Sequence, residues 1–353
     1  MSRNLRNALL SSGAVIDGAS GLPLHFGAPK AELHAALNVC AVADRSPLAC
    51  LLGDGPDLTD LLNRLSTNAV DALEPGAGAA TVLTTAKGRI VERLFVSHLG
   101  DAGLLLVGGM RRAPAILEHL KKFTFHEETG LRDCESEFSL LSVTGPLASE
   151  ALSTAGLHIP PPLGAVAGTL DGMQFHVLGH DGYTANGFSV LVAHAQAESM
   201  WQTLVLAVSK ADGRPAGELA LEVARVRRGV PACGTELTED HNPLEAGLWD
   251  AVAFDKGCYV GQEVVARLNT YDKVARRLVG LRIPRGQHLI ERGTRLYRED
   301  KEAGLLTSVA GLEGVETVAL AYIKTRAADV GDTVQLAVPD GPEVLLEAFP
   351  LKE

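Results

Sequence analysis

Residues 81–109, TVLTTAKGRIVERLFVSHLGDAGLLLVGG, hold three runs of aliphatic and β-branched residues, parted by Lys87-Gly88 and by Gly100-Asp101-Ala102-Gly103. Short apolar runs separated by glycine turns predict three antiparallel strands. In the middle run, IVERLFV, side chains alternate between faces, so Glu92 shares a face with Ile90, Leu94 and Val96 while Arg93 points away with Val91 and Phe95. A carboxylate among aliphatics has its charged form disfavoured, which makes Glu92 a candidate acid, base or ligand acceptor. An edge-strand glutamate in water is the alternative that the pattern leaves open.

The neighbouring segments supply helices for this sheet. DLTDLLNRLS places Leu58, Leu61, Leu62 and Leu65 on one stripe, with Asp57 positioned to cap it. APAILEHLKKF does the same with Ile116, Leu117, Leu120 and Phe123, and the strand EFSLLSV follows. Residues 140–208 alternate in the same manner, running from a strand through the helix LASEALSTAG and the strands MQFHVLG and GFSVLVA around HDGYTANG to the helix AESMWQTLVLA. This order is that of two ferredoxin-like α+β units. From residue 273 the texture changes to short glycine-punctuated strands (RRLVGLRI, TRLYRED, GLLTSVAG, TVALAYI, DTVQLAV, EVLLEAF), which predict a C-terminal β-barrel. The expected division is a two-subdomain α+β body over 1–272 and a barrel over 273–353.

Composition narrows the function classes. The net charge of −11 opposes nucleic-acid binding, and no apolar run approaches the roughly 20 residues that span a bilayer, so neither nucleic acid nor membrane is an expected partner. The N-terminus MSRNLRNALLSSG has too short an apolar stretch for a secretory signal, and a cytoplasmic protein is expected. Five scattered cysteines without C-x-x-C spacing point to reduced thiols and to no resident metal site. No G-x-S-x-G elbow occurs, and HEETG lacks the second histidine of a zinc helix.

Two segments carry candidate chemistry. In GELALEVARVRRG, residues Glu218, Glu222 and Arg225 form one charged stripe, by itself a solvated helix face. In AFDKGCYVGQE, residues 253–263, AVAF reads as a strand, Asp255-Lys256-Gly257 as a turn, and VGQEVVARL as a helix beginning close to Cys258. A helix N-terminus and the ammonium of Lys256 would both favour thiolate over thiol. A buried, inert cysteine is the commoner alternative.

DKGCYVGQEVVAR resembles the K-G-C-[FY]-x-G-Q-E signature of the YgfZ family, folate-binding proteins related to the glycine-cleavage aminomethyltransferase and implicated in assembly or repair of iron–sulfur enzymes. TTAKGRIVERLFV, RVRRGVP, NPLEAGLWDAVAFDKG and RRLVGLRI extend the resemblance along most of the chain. It implies an aminomethyltransferase-like body binding tetrahydrofolate or a derivative, with Arg225, Tyr183 and Glu92 at the folate pocket. It also implies Cys258 as working thiol beside Lys256, the motif residues Gly257, Tyr259, Gly261, Gln262 and Glu263 around it, and iron–sulfur enzymes or cluster-assembly proteins as partners. Where aminomethyltransferases carry paired aspartates this chain has Glu92-Arg93, and Ser189 stands at the place of their pterin-clamping glutamate. Glycine-cleavage activity is therefore not expected. The alternative is a tetrahydrofolate-dependent aminomethyltransferase or demethylase using Glu92 to handle a proton.

Overall fold

The structure, a computed structural model, describes residues 3–182, 186–270, 273–286 and 290–351. The chain forms two compact units, each gathered from separate segments. Met1–Thr84, Glu92–Glu218 and Asp250–Val260 make the first; Thr85–Val91, Leu219–Trp249 and Gly261–Glu353 make the second.

The meander of residues 81–109 forms as expected, with strands Gly78–Thr84, Ile90–His98 and Leu104–Met110. Leu48–Gly53 and then Arg132–Asp133 add to its far side, giving a five-stranded sheet. A six-stranded sheet in the first unit runs Ala165–Leu170, Met173–Leu178, Gly187–Ala193, Phe138–Thr144, Ala41–Asp44, Arg214–Pro215, antiparallel except for the last pair. Leu48, Leu105 and Val107 of the first sheet and Leu140, Leu178 and Leu191 of the second belong to one buried cluster. The other face of the six-stranded sheet is closed by helices Arg3–Ser11, Ala148–Thr154 and Ala197–Lys210 around Trp201. The indole is fully buried, and its N–H donates to Ser12 Oγ at 3.0 Å, which satisfies the polar end of an otherwise apolar ring.

The leucine helix spans Leu58–Leu65 with all four expected leucines buried, each contributing about 1.5–3 kcal/mol of apolar burial. Asp57 does not cap it; its carboxylate accepts instead from the Glu128 N–H at 2.8 Å. The strand Ala165–Leu170 escapes the sequence pattern because it is made of small residues. At Gly168 a Cβ would lie 2.5 Å from the Phe175 ring, so the side chain that would have signalled a strand has no room.

In the second unit the expected barrel is a curled antiparallel sheet, a half-barrel. Its order is Arg276–Ile283, Thr317–Lys324, Lys301–Ala310, Arg295–Arg298, Thr333–Leu336, Glu343–Leu345. Gly280 and Glu347 exchange N–H···O bonds of 3.0 and 2.8 Å, bridging the first strand to the chain beyond the last. Helix Glu218–Arg228 ends at Gly229, whose φ of +73° supplies the left-handed stop.

Candidate functional site

Residues 250–260 lack regular secondary structure beyond a short 3-10 turn at Trp249–Ala251, so AVAF is not a strand. The segment is nonetheless tied down. The Ala253 N–H donates to Thr67 O at 2.9 Å, the Thr67 hydroxyl donates to Ala251 O, and the Val260 N–H donates to Arg64 O at 3.0 Å. The strongest tie is Lys256, whose ammonium donates to the carbonyls of Asn63, Ser66 and Asn68 at 2.7, 2.9 and 2.7 Å. These carbonyls lie in the last turn of helix Leu58–Leu65 and just beyond it, where backbone acceptors have no intrahelical donors and the dipole favours a cation. Burial pushes the Lys256 pKa down to about 8. Tyr259 lies buried under this ammonium, 5.3 Å from ring centroid to Nζ, with its phenol pushed up to about 12 by desolvation.

Between these two fixed side chains the backbone carries Gly257 and Cys258 outward. A Cβ at Gly257 would meet nothing within 4 Å, and Cys258 is exposed. Cys40, Cys50 and Cys134 are buried and Cys233 is half-buried. Desolvation pushes the Cys40 thiol up to about 11, and Cys50 is raised well above the usual range, first by its hydrogen-bonding contact with Cys134 and then by burial. Cys258 is thus the one exposed thiol. All three N–H bonds of Lys256 are engaged by carbonyls, and the following helix starts at Gln262, four residues beyond the sulfur, rather than beside it.

The rest of the motif falls in the second unit. Gly261 has φ +85°, and a Cβ there would lie 2.5 Å from Thr85 O and 2.9 Å from Gly88 N, so the Lys87-Gly88 turn seats directly on the chain entering helix Gln262–Thr270. Gln262 is half-buried, and Glu263 is a surface residue whose carboxylate stands 3.9 Å from Arg267. It is the acidic residue of that helix's first turn, where the dipole favours a carboxylate.

Glu92 is fully buried, which decides between the two alternatives that the alternation leaves open. Its carboxylate accepts from Arg112 Nε at 2.9 Å and from the Gly109 N–H at 3.2 Å, so it is engaged in holding strand Leu104–Met110 and the chain after it. On the opposite face of the same strand, Arg93 lies over Phe95 at 4.9 Å, and Phe95 stacks on His180 with centroids 4.6 Å apart. Burial pushes His180 down to about 4, so the ring is neutral at pH 7. Its Nδ1 accepts from the Gly182 N–H at 3.2 Å, which leaves Nε2 as the protonated donor. Among the described residues that buried Nε2 has no partner, and neither has the buried Oγ of Ser189. A buried polar atom left unpaired costs about 1–3 kcal/mol, a cost that a ligand offering acceptors would remove. Sequence spacing does not mark Arg93 or His180 as candidates, because the stack of Phe95 on His180 joins residues far apart in the chain. Tyr183 lies outside the described residues.

Arg225 sits in the second unit, 5% exposed, not on a solvated face. It grips both oxygens of Glu222 at 2.8 and 2.6 Å, and donates to Val230 O, Glu236 and Ser308 Oγ at 2.6, 3.1 and 2.7 Å. Burial by itself would raise the Glu236 carboxyl; Arg225 and the surrounding donors outweigh it and leave the pKa lowered. All five guanidinium N–H bonds are accounted for, so the arginine expected at a ligand instead ties a helix to the half-barrel. Among the described residues no group of three or more His, Cys, Asp or Glu is placed to hold a metal, and no helix is long and apolar enough to cross a membrane.

Comparison with known proteins agrees with this architecture. Residues 13–256 match the GCVT N-terminal domain and residues 276–349 the glycine cleavage T-protein C-terminal barrel domain. A candidate transferase of the Arabidopsis thaliana chloroplast is 33% identical over 303 residues, spanning 84% of this chain and 68% of that protein. An aminomethyltransferase of Thermotoga neapolitana is 28% identical, spanning 90% of this chain and 87% of that one. The crystal structure of the glycine cleavage system aminomethyltransferase T from Bartonella henselae superposes over the whole chain with a TM-score of 0.84 at 22% identity, a likeness of fold. With both domains present in order, the chain belongs to the glycine-cleavage T-protein family, in the aminomethyltransferase superfamily.

Proposed function

We propose that this chain is a folate-binding accessory protein that supports assembly or repair of iron–sulfur enzymes, with Cys258 as its working thiol. The observation that carries this reading is the presentation of Cys258. Three thiols are sealed in cores, whereas this one stands exposed between two anchored side chains, inside a motif that resembles the YgfZ signature. Tetrahydrofolate or a derivative is the ligand proposed for the first unit. In support of it, the Nε2–H of His180, whose ring stacks on Phe95, and the Ser189 hydroxyl lie buried without partners among the described residues, and suit a heterocycle rich in hydrogen-bonding edges. The alternative aminomethyltransferase or demethylase reading needs Glu92 free to handle a proton. Its engagement by Arg112 and Gly109 weighs against that.

Complementation of a deletion strain separates the two. Loss of aconitase-type activity with normal glycine cleavage, rescued by the wild-type chain and not by Cys258→Ser, is the expected result. Full rescue by Cys258→Ser removes the thiol from the account, and absence of any calorimetric signal with millimolar tetrahydrofolate removes the folate.

A further inference from the structure

We infer that the second unit carries an oxyanion site, centred on the guanidinium of Arg276, for a small ligand bearing carboxylate or phosphate groups. A cavity of about 400 Å³ opens on the curled sheet, within the size range of small-molecule sites, and Arg276, Arg295 and Lys324 all line it. Three cations around one concavity are conspicuous in a chain of net charge −11.

The cations are not equally compensated. Lys324 donates to Glu302 at 2.8 Å (backbone O) and 3.2 Å (Oε1), and Arg295 stands 3.5 Å from the same carboxylate. One acid thus serves two bases, and the remaining acid of the lining, Asp240, is exposed at the rim. The Arg276 guanidinium has no hydrogen-bond or ion-pair partner among the described residues, although strand register sets the residue directly opposite Lys324. Like charges directly opposite on antiparallel strands, with Cβ atoms about 5 Å apart, destabilise the pair. A ligand oxyanion seated between them removes that repulsion, and the planar fork of an arginine matches the two oxygens of a carboxylate or phosphate.

The floor of the cavity is rigid. His241 stacks on Tyr322 with centroids 3.6 Å apart, and the Tyr322 hydroxyl donates to Glu236 O at 3.0 Å. Burial pushes the Tyr322 phenol far up, Glu236 and Glu245 add to this, and Arg276 opposes it, which places the guanidinium's field over the floor. Leu305, 43% exposed on the wall, offers a surface to the carbon skeleton of a ligand.

The test is calorimetry on the full chain at low salt with sodium pyrophosphate and, separately, sodium glutarate. Saturable binding of at least one is expected, weakened tenfold or more by Arg276→Gln, partly retained by Arg276→Lys and unchanged by Cys258→Ser. The preferred probe tells whether phosphate or carboxylate is the recognised group. Without ligand, Arg276→Gln should melt no lower than wild type, because it relieves the opposition to Lys324; a structural arginine would behave in the reverse way. No saturable heat with either probe, binding indifferent to Arg276→Gln, or a clearly lower melting temperature for that variant would each overturn the assignment.

Discussion

Lys256 Nζ lies 2.7 Å from the carbonyl oxygen of Asn63, a residue 193 positions away in sequence. That bond and its two companions make Lys256 the closing cap of helix Leu58–Leu65 rather than a charge reserved for the thiol. Lys256→Met should therefore destabilise the first unit by roughly 2 kcal/mol, since charge-assisted bonds are lost and three carbonyls lose their donor. Denaturant midpoints measure it. A variant as stable as wild type that alkylates more slowly at Cys258 would restore the ammonium to the thiol.

Cys258 should be the first cysteine to react with iodoacetamide in the native chain. Cys40, Cys50 and Cys134 should label only on unfolding, at rates at least a hundredfold lower, because their sulfurs are sealed from solvent. Peptide-resolved mass spectrometry provides the comparison.

The two glycines of the motif should respond in opposite ways. Gly261→Ala places a Cβ 2.5 Å from Thr85 O at a φ of +85°, and a loss of roughly 2 kcal/mol is expected. Gly257→Ala meets no atom within 4 Å and should leave thermal unfolding unchanged. Melting curves of the two variants side by side decide the matter.

Arg225→Ala should cost about 3–5 kcal/mol, because it strands the buried carboxylate of Glu236. The effect belongs to folding of the second unit. An Arg225→Ala chain that melts like wild type while losing tetrahydrofolate would return Arg225 to ligand binding.

His180 gives the fold a dependence on pH. Its pKa is depressed to about 4 in the folded chain against an ordinary value of 6.5, so between those values the unfolded state binds more protons. Its contribution is therefore complete above pH 6.5, declines as pH falls toward 4, and levels off below. The whole effect is at most about 3 kcal/mol. Urea midpoints at pH 7 and pH 4.5 should converge in His180→Phe relative to wild type.

Elements with strong local period were legible in the sequence. The leucine stripe of residues 58–65 and the alternation in IVERLFV give the helix, the strand and the residues that share a face with Glu92, because each is decided by neighbours a few positions away; whether that face is buried is decided by the rest of the sheet and stays open in the sequence. The site was legible only in part. Tight local spacing made AVAF look like a strand, yet its backbone bonds go to Thr67, and no local pattern reveals that. Arg225 read as solvated because its partners Glu236 and Ser308 come from elsewhere in the chain. His180 was silent for the same reason: its stacking partner Phe95 arrives from another strand.

The arch that carries Cys258 has irregular backbone, yet its two ends are held by a buried ring and by an ammonium bound to three carbonyls. Loops ordinarily lose conformational freedom when a partner docks, at about 1–2 kcal/mol per backbone residue fixed. Here that loss has already been incurred during folding, so any molecule meeting the sulfur encounters a preorganised contact. Encounters with such a thiol should depend on the shape and charge of the approaching surface, with little waiting for the arch to find its conformation.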